Sequence, residues 1–231
     1  MEVGGNIHTL NSGYPNWSGE YLKGEYKSDT DNVWNAMLLN QRQFGSTGYY
    51  GSVGNTHVID EDWFTNLSVG GSTSGVFLPT YRVDGFINRK WLDRRQLITT
   101  LGMGYYKSRD SYTDNSLFVG ATYYFESPWI LQGGVRFNRS TPGRVYSMSE
   151  FIALTHGREG ERLLTGRYGF GKEAYQVIGP GNVLSEFHSH TASLQWRQWV
   201  EENWGFDLLG ETYFSRNYDR KGINGGVFLE F

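Results

Sequence analysis

Apolar and polar positions alternate with a period of two along most of the chain. Leu97, Thr99, Leu101, Met103 and Tyr105 share one face, with Thr100, Gly102, Gly104 and Tyr106 opposite. Leu117, Val119, Ala121, Tyr123 and Phe125 repeat the pattern, and Trp129, Leu131, Gly133, Val135 and Phe137 repeat it against Gln132, Gly134, Arg136 and Asn138. Trp204, Phe206, Leu208, Gly210, Thr212 and Phe214 oppose Asp207, Glu211 and Ser215. Trp63, Thr65, Leu67 and Val69 oppose Asn66, Ser68 and Gly70, and Val83, Gly85 and Ile87 oppose Arg82, Asp84, Asn88 and Lys90. Such a period marks strands with one apolar face. The pattern predicts strands near 2–11, 17–28, 32–44, 48–59, 63–74, 81–92, 96–108, 113–126, 129–140, 144–157, 161–173, 183–199, 203–216 and 222–231. The stretches 33–44, 48–59 and 144–157 alternate less cleanly, which leaves twelve strands as the main alternative to about fourteen.

The connections sort by parity. Asp29-Thr30-Asp31, Asp60-Glu61-Asp62, Ser127-Pro128, Glu159-Gly160 and Glu201-Glu202-Asn203 are tight, whereas Ser12–Asn16, Gly75–Thr80 and Ala174–Asn182 are expected as longer loops. Trp34, Trp63, Trp91, Trp129, Trp199 and Trp204 all fall near the tight-turn ends. A ring of Trp at one rim suits a membrane interface. Short turns on one side and longer loops on the other suit an up-and-down barrel with both termini on the periplasmic side.

Composition narrows the class. The 231 residues include 16% aromatics but only 38% hydrophobic residues, a balance that fits aromatic girdles outside and a polar lumen inside. No run reaches the roughly 18 apolar residues of a spanning helix. Cys is absent, which removes a disulfide framework or thiolate metal site and suits an oxidising compartment. A net charge of -3 gives no nucleic-acid signal. Met1-Glu2-Val3-Gly4-Gly5 lacks the basic start and apolar core of a signal peptide, so a mature or recombinant fragment without its targeting segment is expected.

The last residues carry the sharpest local pattern. Ile223, Gly225, Val227, Leu229 and Phe231 alternate with Asn224, Gly226, Phe228 and Glu230. Asn224, Gly226, Leu229 and Phe231 fill a polar-x-Gly-x-x-apolar-x-aromatic signature similar to the assembly signal of bacterial outer-membrane barrels. Gly13-Tyr14-Pro15-Asn16-Trp17 with Tyr21 and Tyr26, the loop Val177–Val183 around Gly179-Pro180-Gly181, Trp196-Arg197-Gln198-Trp199 and the closing Tyr218–Phe231 together resemble the YaiO family of outer-membrane β-barrels. The resemblance spans about Gly13 to Phe231. It implies an outer-membrane barrel of unsettled activity, whose relatives are often associated with or fused to envelope polysaccharide and glycosyltransferase modules. It supplies no catalytic residues.

Strand parity directs Lys23, Glu25, Lys27, Arg82, Asp84, Lys90, Arg136, Arg167, Arg197, Asp207 and Glu211 into the lumen. Cations predominate, which suits selectivity for an anionic or sugar solute; opposite charges bracing the wall across strands is the plainer reading. His188 and His190 share a face while Ser189 points away, and Ser193 lies on the face opposite His190, which argues against a His–Ser hydrolase. Glu186 shares the histidine face, but no clear third ligand makes a metal site. The acidic turn Asp60–Asp62 lacks the oxygen-rich repeat of a calcium loop, and Gly169 and Gly171 precede no helix that would cradle phosphate.

The chain is therefore expected to be one barrel domain over residues 1–231 in the bacterial outer membrane, without cofactor, metal or enzymatic activity. The expected function is a pore or export conduit linked to envelope polysaccharide. The alternatives are a side-chain-plugged barrel anchoring glycan machinery and, remotely, an outer-membrane hydrolase. Expected partners are outer-membrane lipid and lipopolysaccharide, the barrel assembly machinery, and a sugar polymer or periplasmic glycan machinery.

Overall fold

Each alternating segment forms a strand in the computed structural model, which describes residues 1–179 and 182–231. The strands are β1 (Glu2–Leu10), β2 (Trp17–Lys27), β3 (Asn32–Gln43), β4 (Ser46–Val58), β5 (Trp63–Ser72), β6 (Pro79–Trp91), β7 (Leu97–Ser108), β8 (Thr113–Tyr124), β9 (Trp129–Thr141), β10 (Val145–Arg158), β11 (Arg162–Gly179), β12 (Asn182–Glu201), β13 (Trp204–Ser215) and β14 (Asp219–Leu229). Consecutive strands pair antiparallel, and β1 pairs with β14 from Glu2 opposite Phe228 to Leu10 opposite Arg220. The sheet thereby closes into a fourteen-stranded barrel. Closure leaves no free edge strand in the sheet, the condition for spanning a bilayer with strands.

The apolar faces point outward. Leu38, Leu67, Leu101, Met103, Leu194 and Ile223 are exposed, Met103 by 71% and Ile223 by 64%. Trp34, Trp91 and Trp129 ring the tight-turn rim with outward, exposed indoles. Tyr49, Tyr81, Tyr146 and Phe214 are exposed at the opposite rim. An apolar band between two aromatic girdles matches the lipid-facing surface of a membrane barrel.

Four details depart from the sequence reading. Ala174–Gly179 is not loop but the end of β11, and β12 begins at Asn182; Pro180 and Gly181 of the Gly-Pro-Gly loop lie outside the described residues. Beyond the pairs Gly171–Ser189 the two strands bond mainly to each other and extend past their neighbours, because alternation continues through Tyr175 and Val177. Loop lengths differ little between the rims: the longest connections, 11–16 and 73–78, fall on the expected side, yet 44–45 on that side is as short as any turn opposite. Trp199 does not join the girdle. It is 6% exposed and packs inside against Phe228, since it shares the inner face of Arg197 just before a bulge at Trp199/Glu201. Phe231 lies past the end of β14 and is fully exposed rather than part of the strand's apolar face.

Candidate functional site in the lumen

Inward side chains divide the lumen into two flanks. On β12–β14 and β1–β2 it is filled. Near the tight-turn end Arg197 donates to Glu2 at 2.9 Å and lies 3.7 Å from Asp207. Glu2 also accepts from Lys23 at 3.2 Å and from the Tyr21 hydroxyl at 2.9 Å, and Gln195 donates to Asp207 at 2.7 Å. The Arg197 guanidinium sits 3.7 Å above the Phe228 ring. Towards the other rim Arg220 pairs with Glu211 and covers Trp17 at 4.4 Å and Tyr213 at 5.1 Å. Trp17, Phe187, Tyr213 and Tyr218 form a buried cluster with Leu10, Tyr14, Phe44 and Leu184 against it. The β3–β4 turn makes this possible: Phe44 and Gly45 both adopt positive φ, as a two-residue hairpin turn requires. The turn brings Phe44 edge-on to Trp17 at 5.0 Å.

On β6–β11 the lumen is hollow. A cavity of about 470 Å³ is lined by Asp114, Phe118, Arg136, Ser147, Phe151 and Arg167 among others. It shares Asp114, Arg136 and Asn138 with one of about 270 Å³, which in turn shares Arg82 and Asp84 with a third of about 420 Å³. Arg82 binds Asp84 through Nε and Nη2. Among the described residues Arg136 donates only to the Ser116 hydroxyl, at 2.9 Å. Among the described residues no ion pair engages Arg136 or Arg167. Towards the tight-turn end the wall is neutral and polar: Thr100 donates to Asn88, Asn88 to Asn66, and Asn66 to Thr56, each within 2.8 Å.

Inward aromatics lie flat on the wall because glycine makes room for them. A Cβ on Gly102 would sit 2.2 Å from the Phe86 ring, and one on Gly134 would sit 2.6 Å from Phe118 and 3.0 Å from Phe151. Tyr21 lies over Gly4 and Gly226, Tyr50 over Gly70, and Phe228 over Gly205. The inward glycines thus keep large rings from projecting across the space.

Of the residues expected in the lumen, Lys23, Asp207, Glu211 and Arg197 converge on the filled flank, and Arg82, Asp84, Arg136 and Arg167 line the hollow one. Glu25 and Lys27 share the inner parity of Lys23 but are exposed at the end of β2, and the Lys90 ammonium reaches the Glu61 carbonyl at the turn. Asn224 and Gly226 face inward, Gly226 beneath the Tyr21 hydroxyl, while Leu229 is exposed. Ser189 donates inward to Glu173 at 2.9 Å, whereas His190 contacts the Tyr168 hydroxyl at 2.7 Å on the outer face and Glu186 is held by Lys172. No His reaches Ser189 in this arrangement. Glu2 and Arg220 went unrecognised in the sequence, although Glu2's parity with Gly4 and Asn6 directs it inward.

A closed antiparallel barrel with an apolar exterior and a charged lumen is an outer-membrane β-barrel of bacteria. More specifically, the chain belongs to the YaiO membrane β-barrel domain family, whose model matches residues 1–176. Among solved structures, Omp33 of Acinetobacter baumannii is similar with a TM-score of 0.61 at 8% identity, over 99% of this chain and 96% of that one. The KdgM porin is similar at 0.54 and 10% identity, over 100% and 99%. The anion-selective porin from Comamonas acidovorans is similar at 0.55 and 8% identity, over 100% and 99%. At such identities the likeness is one of fold. No curated protein matches the chain.

Proposed function

We propose that the barrel is a water-filled conduit for solutes across the outer membrane, favouring anions, with the tight-turn rim and both termini on the periplasmic side. The observation that carries this reading is the run of cavities with shared linings on the hollow flank, bordered by Arg136 and Arg167, which among the described residues have no carboxylate in salt-bridge contact. Unneutralised guanidiniums on a low-dielectric wall raise the local concentration of anions. The Trp girdle at the tight-turn rim supports the orientation. The similar porins support passage as a use of this architecture, and a link to envelope polysaccharide rests on the family resemblance alone. No catalytic role is proposed, since Ser189 and the two outer histidines lie on opposite faces.

The filled flank favours a second reading, a barrel plugged by its own side chains that anchors periplasmic glycan machinery. Planar-bilayer recordings in a salt gradient separate the two. A conduit gives a steady conductance and an anion-selective reversal potential, and replacing both Arg136 and Arg167 by Glu moves that potential towards cations. A silent barrel, or a reversal potential untouched by the double change, overturns the proposal. As for partners, lipid, lipopolysaccharide and the barrel assembly machinery suit the exposed wall and the terminal signature. Deleting the exposed Phe231 is expected to lower outer-membrane levels in cells without altering the conductance of the barrels that do insert.

A further inference from the structure

We propose that Phe86, Phe118 and Phe151, together with Arg136 and Arg167, form a binding track for an acidic oligosaccharide; the inference rests on the conduit reading and names its solute. The three rings make a continuous ribbon on the hollow flank. Phe86 meets Phe118 edge-on at 6.1 Å, and Phe118 and Phe151 are nearly parallel, 8° apart with centroids 6.3 Å apart. Gly102 backs Phe86 and Gly134 backs Phe118; Phe118 and Phe151 border the cavity that Arg136 and Arg167 line, and Phe86 borders the adjoining one with Arg82 and Asp84.

The cations are held on these rings. The Arg167 guanidinium lies 3.8 Å above Phe151, and that of Arg136 lies 5.5 Å from Phe118. Arg167 is exposed to the lumen, and no hydrogen bond engages it among the described residues. Stacking fixes the plane of a guanidinium while leaving its N–H edge free, and that edge matches a carboxylate in bidentate fashion. Two such forks on strands separated by one strand can take successive acidic groups of one chain.

The surroundings favour a sugar over a simple anion. Asn138 and Ser149 line the same cavity and offer donors and acceptors to hydroxyl groups. Aromatic faces carry negative charge density and an apolar surface, which suits the polarised C–H face of a pyranose and gives a small inorganic anion nothing. Asp114, also in the lining, repels a densely charged polyanion but accepts from hydroxyls.

The test uses the purified full barrel with a mannuronate hexamer and, as the neutral comparison, maltohexaose. Binding is followed by calorimetry in detergent and by block of potassium chloride current in bilayers. The hexuronate is expected to bind the native barrel at least about tenfold more tightly than maltohexaose, the effect of one charge-assisted contact. Arg167→Gln is expected to remove about that factor for the hexuronate alone, while Phe118→Ala weakens both sugars. Heat-modifiable migration checks that each variant is folded, and Arg136→Gln is the second variant should Arg167→Gln fail that check. Equal binding of the two sugars, or hexuronate affinity untouched in folded arginine variants, overturns the track. A barrel that carries no current but binds the hexuronate by calorimetry overturns the conduit reading and leaves the track standing.

Discussion

On the filled flank, Lys23, Arg197 and Arg220 each touch an acid: Glu2, then Glu2 with Asp207, then Glu211. On the hollow flank Arg136 and Arg167 touch aromatic rings and, among the described residues, no acid. The same residue type thus serves two ends within one barrel. Paired guanidiniums are consumed in holding strands together, including across the β1–β14 seam, where Arg197 of β12 reaches Glu2 of β1. Unpaired ones remain available to a solute. The packing of aromatics follows the same division: Tyr218 stacks on Tyr213 and meets Trp17 at a tilt, whereas Phe118 and Phe151 pack over glycine on the wall.

The largest effect should come from the aromatic cluster. Tyr218 is 2% exposed and touches Trp17, Phe44 and Tyr213. Tyr218→Ala leaves a cavity that the barrel wall cannot close, at a cost of about 3–5 kcal/mol. Urea unfolding in detergent should show the loss, and single-channel conductance should rise as the flank loosens. Undiminished stability would mean that the filled flank is not a packed core.

Next comes a contrast between two arginines. Arg197→Gln leaves the largely buried Asp207 without its cation and Glu2 with Lys23 alone. Removing one member of such a group costs about 3 kcal/mol. Arg167→Gln takes away a guanidinium that has no acid partner, so its unfolding midpoint should move by no more than about 0.5 kcal/mol. If the two variants lost equal stability, the division between bracing and available cations would fail.

Much of this molecule was legible in local pattern. Period-two alternation gave the strand count and nearly every boundary, because a residue slip would turn each apolar side chain into the lumen. The same parity separates Arg136 from Phe137 and Ser189 from His190. What alternation cannot convey is which distant strand an inward charge will meet. Glu2 and Arg197 lie far apart in sequence and on strands that are not neighbours, so their contact depends on how the closed barrel brings β1 and β12 together. Arg220 was missed because β14 begins at Asp219, ahead of the clear alternation. The cluster around Tyr218 was hidden for a different reason: an inward aromatic breaks the rule that the inner face is polar, and only the fold shows that it meets other aromatics.

The smallest effect concerns a glycine. Gly134 faces the lumen on β9, and a Cβ there would lie 2.6 Å from the Phe118 ring and 3.0 Å from that of Phe151. Both contacts are to the far ends of side chains, so the rings can give way without moving the backbone. Gly134→Ala is therefore expected to cost about 1–2 kcal/mol, at the lower end for overpacking, and to tip Phe118 off the wall. A ring that leaves the wall enters the hollow flank, so conductance should fall although the substitution adds one carbon. Gly210 on β13 is the control. It shares the outer parity of Leu208, and a Cβ there meets nothing within 4 Å. Gly210→Ala should leave conductance unchanged and stability level or slightly raised, since alanine restricts the unfolded chain. Bilayer recordings of the two variants make the comparison. A fall in conductance for both, or for neither, would show that the hollow flank does not owe its open space to rings laid on glycine.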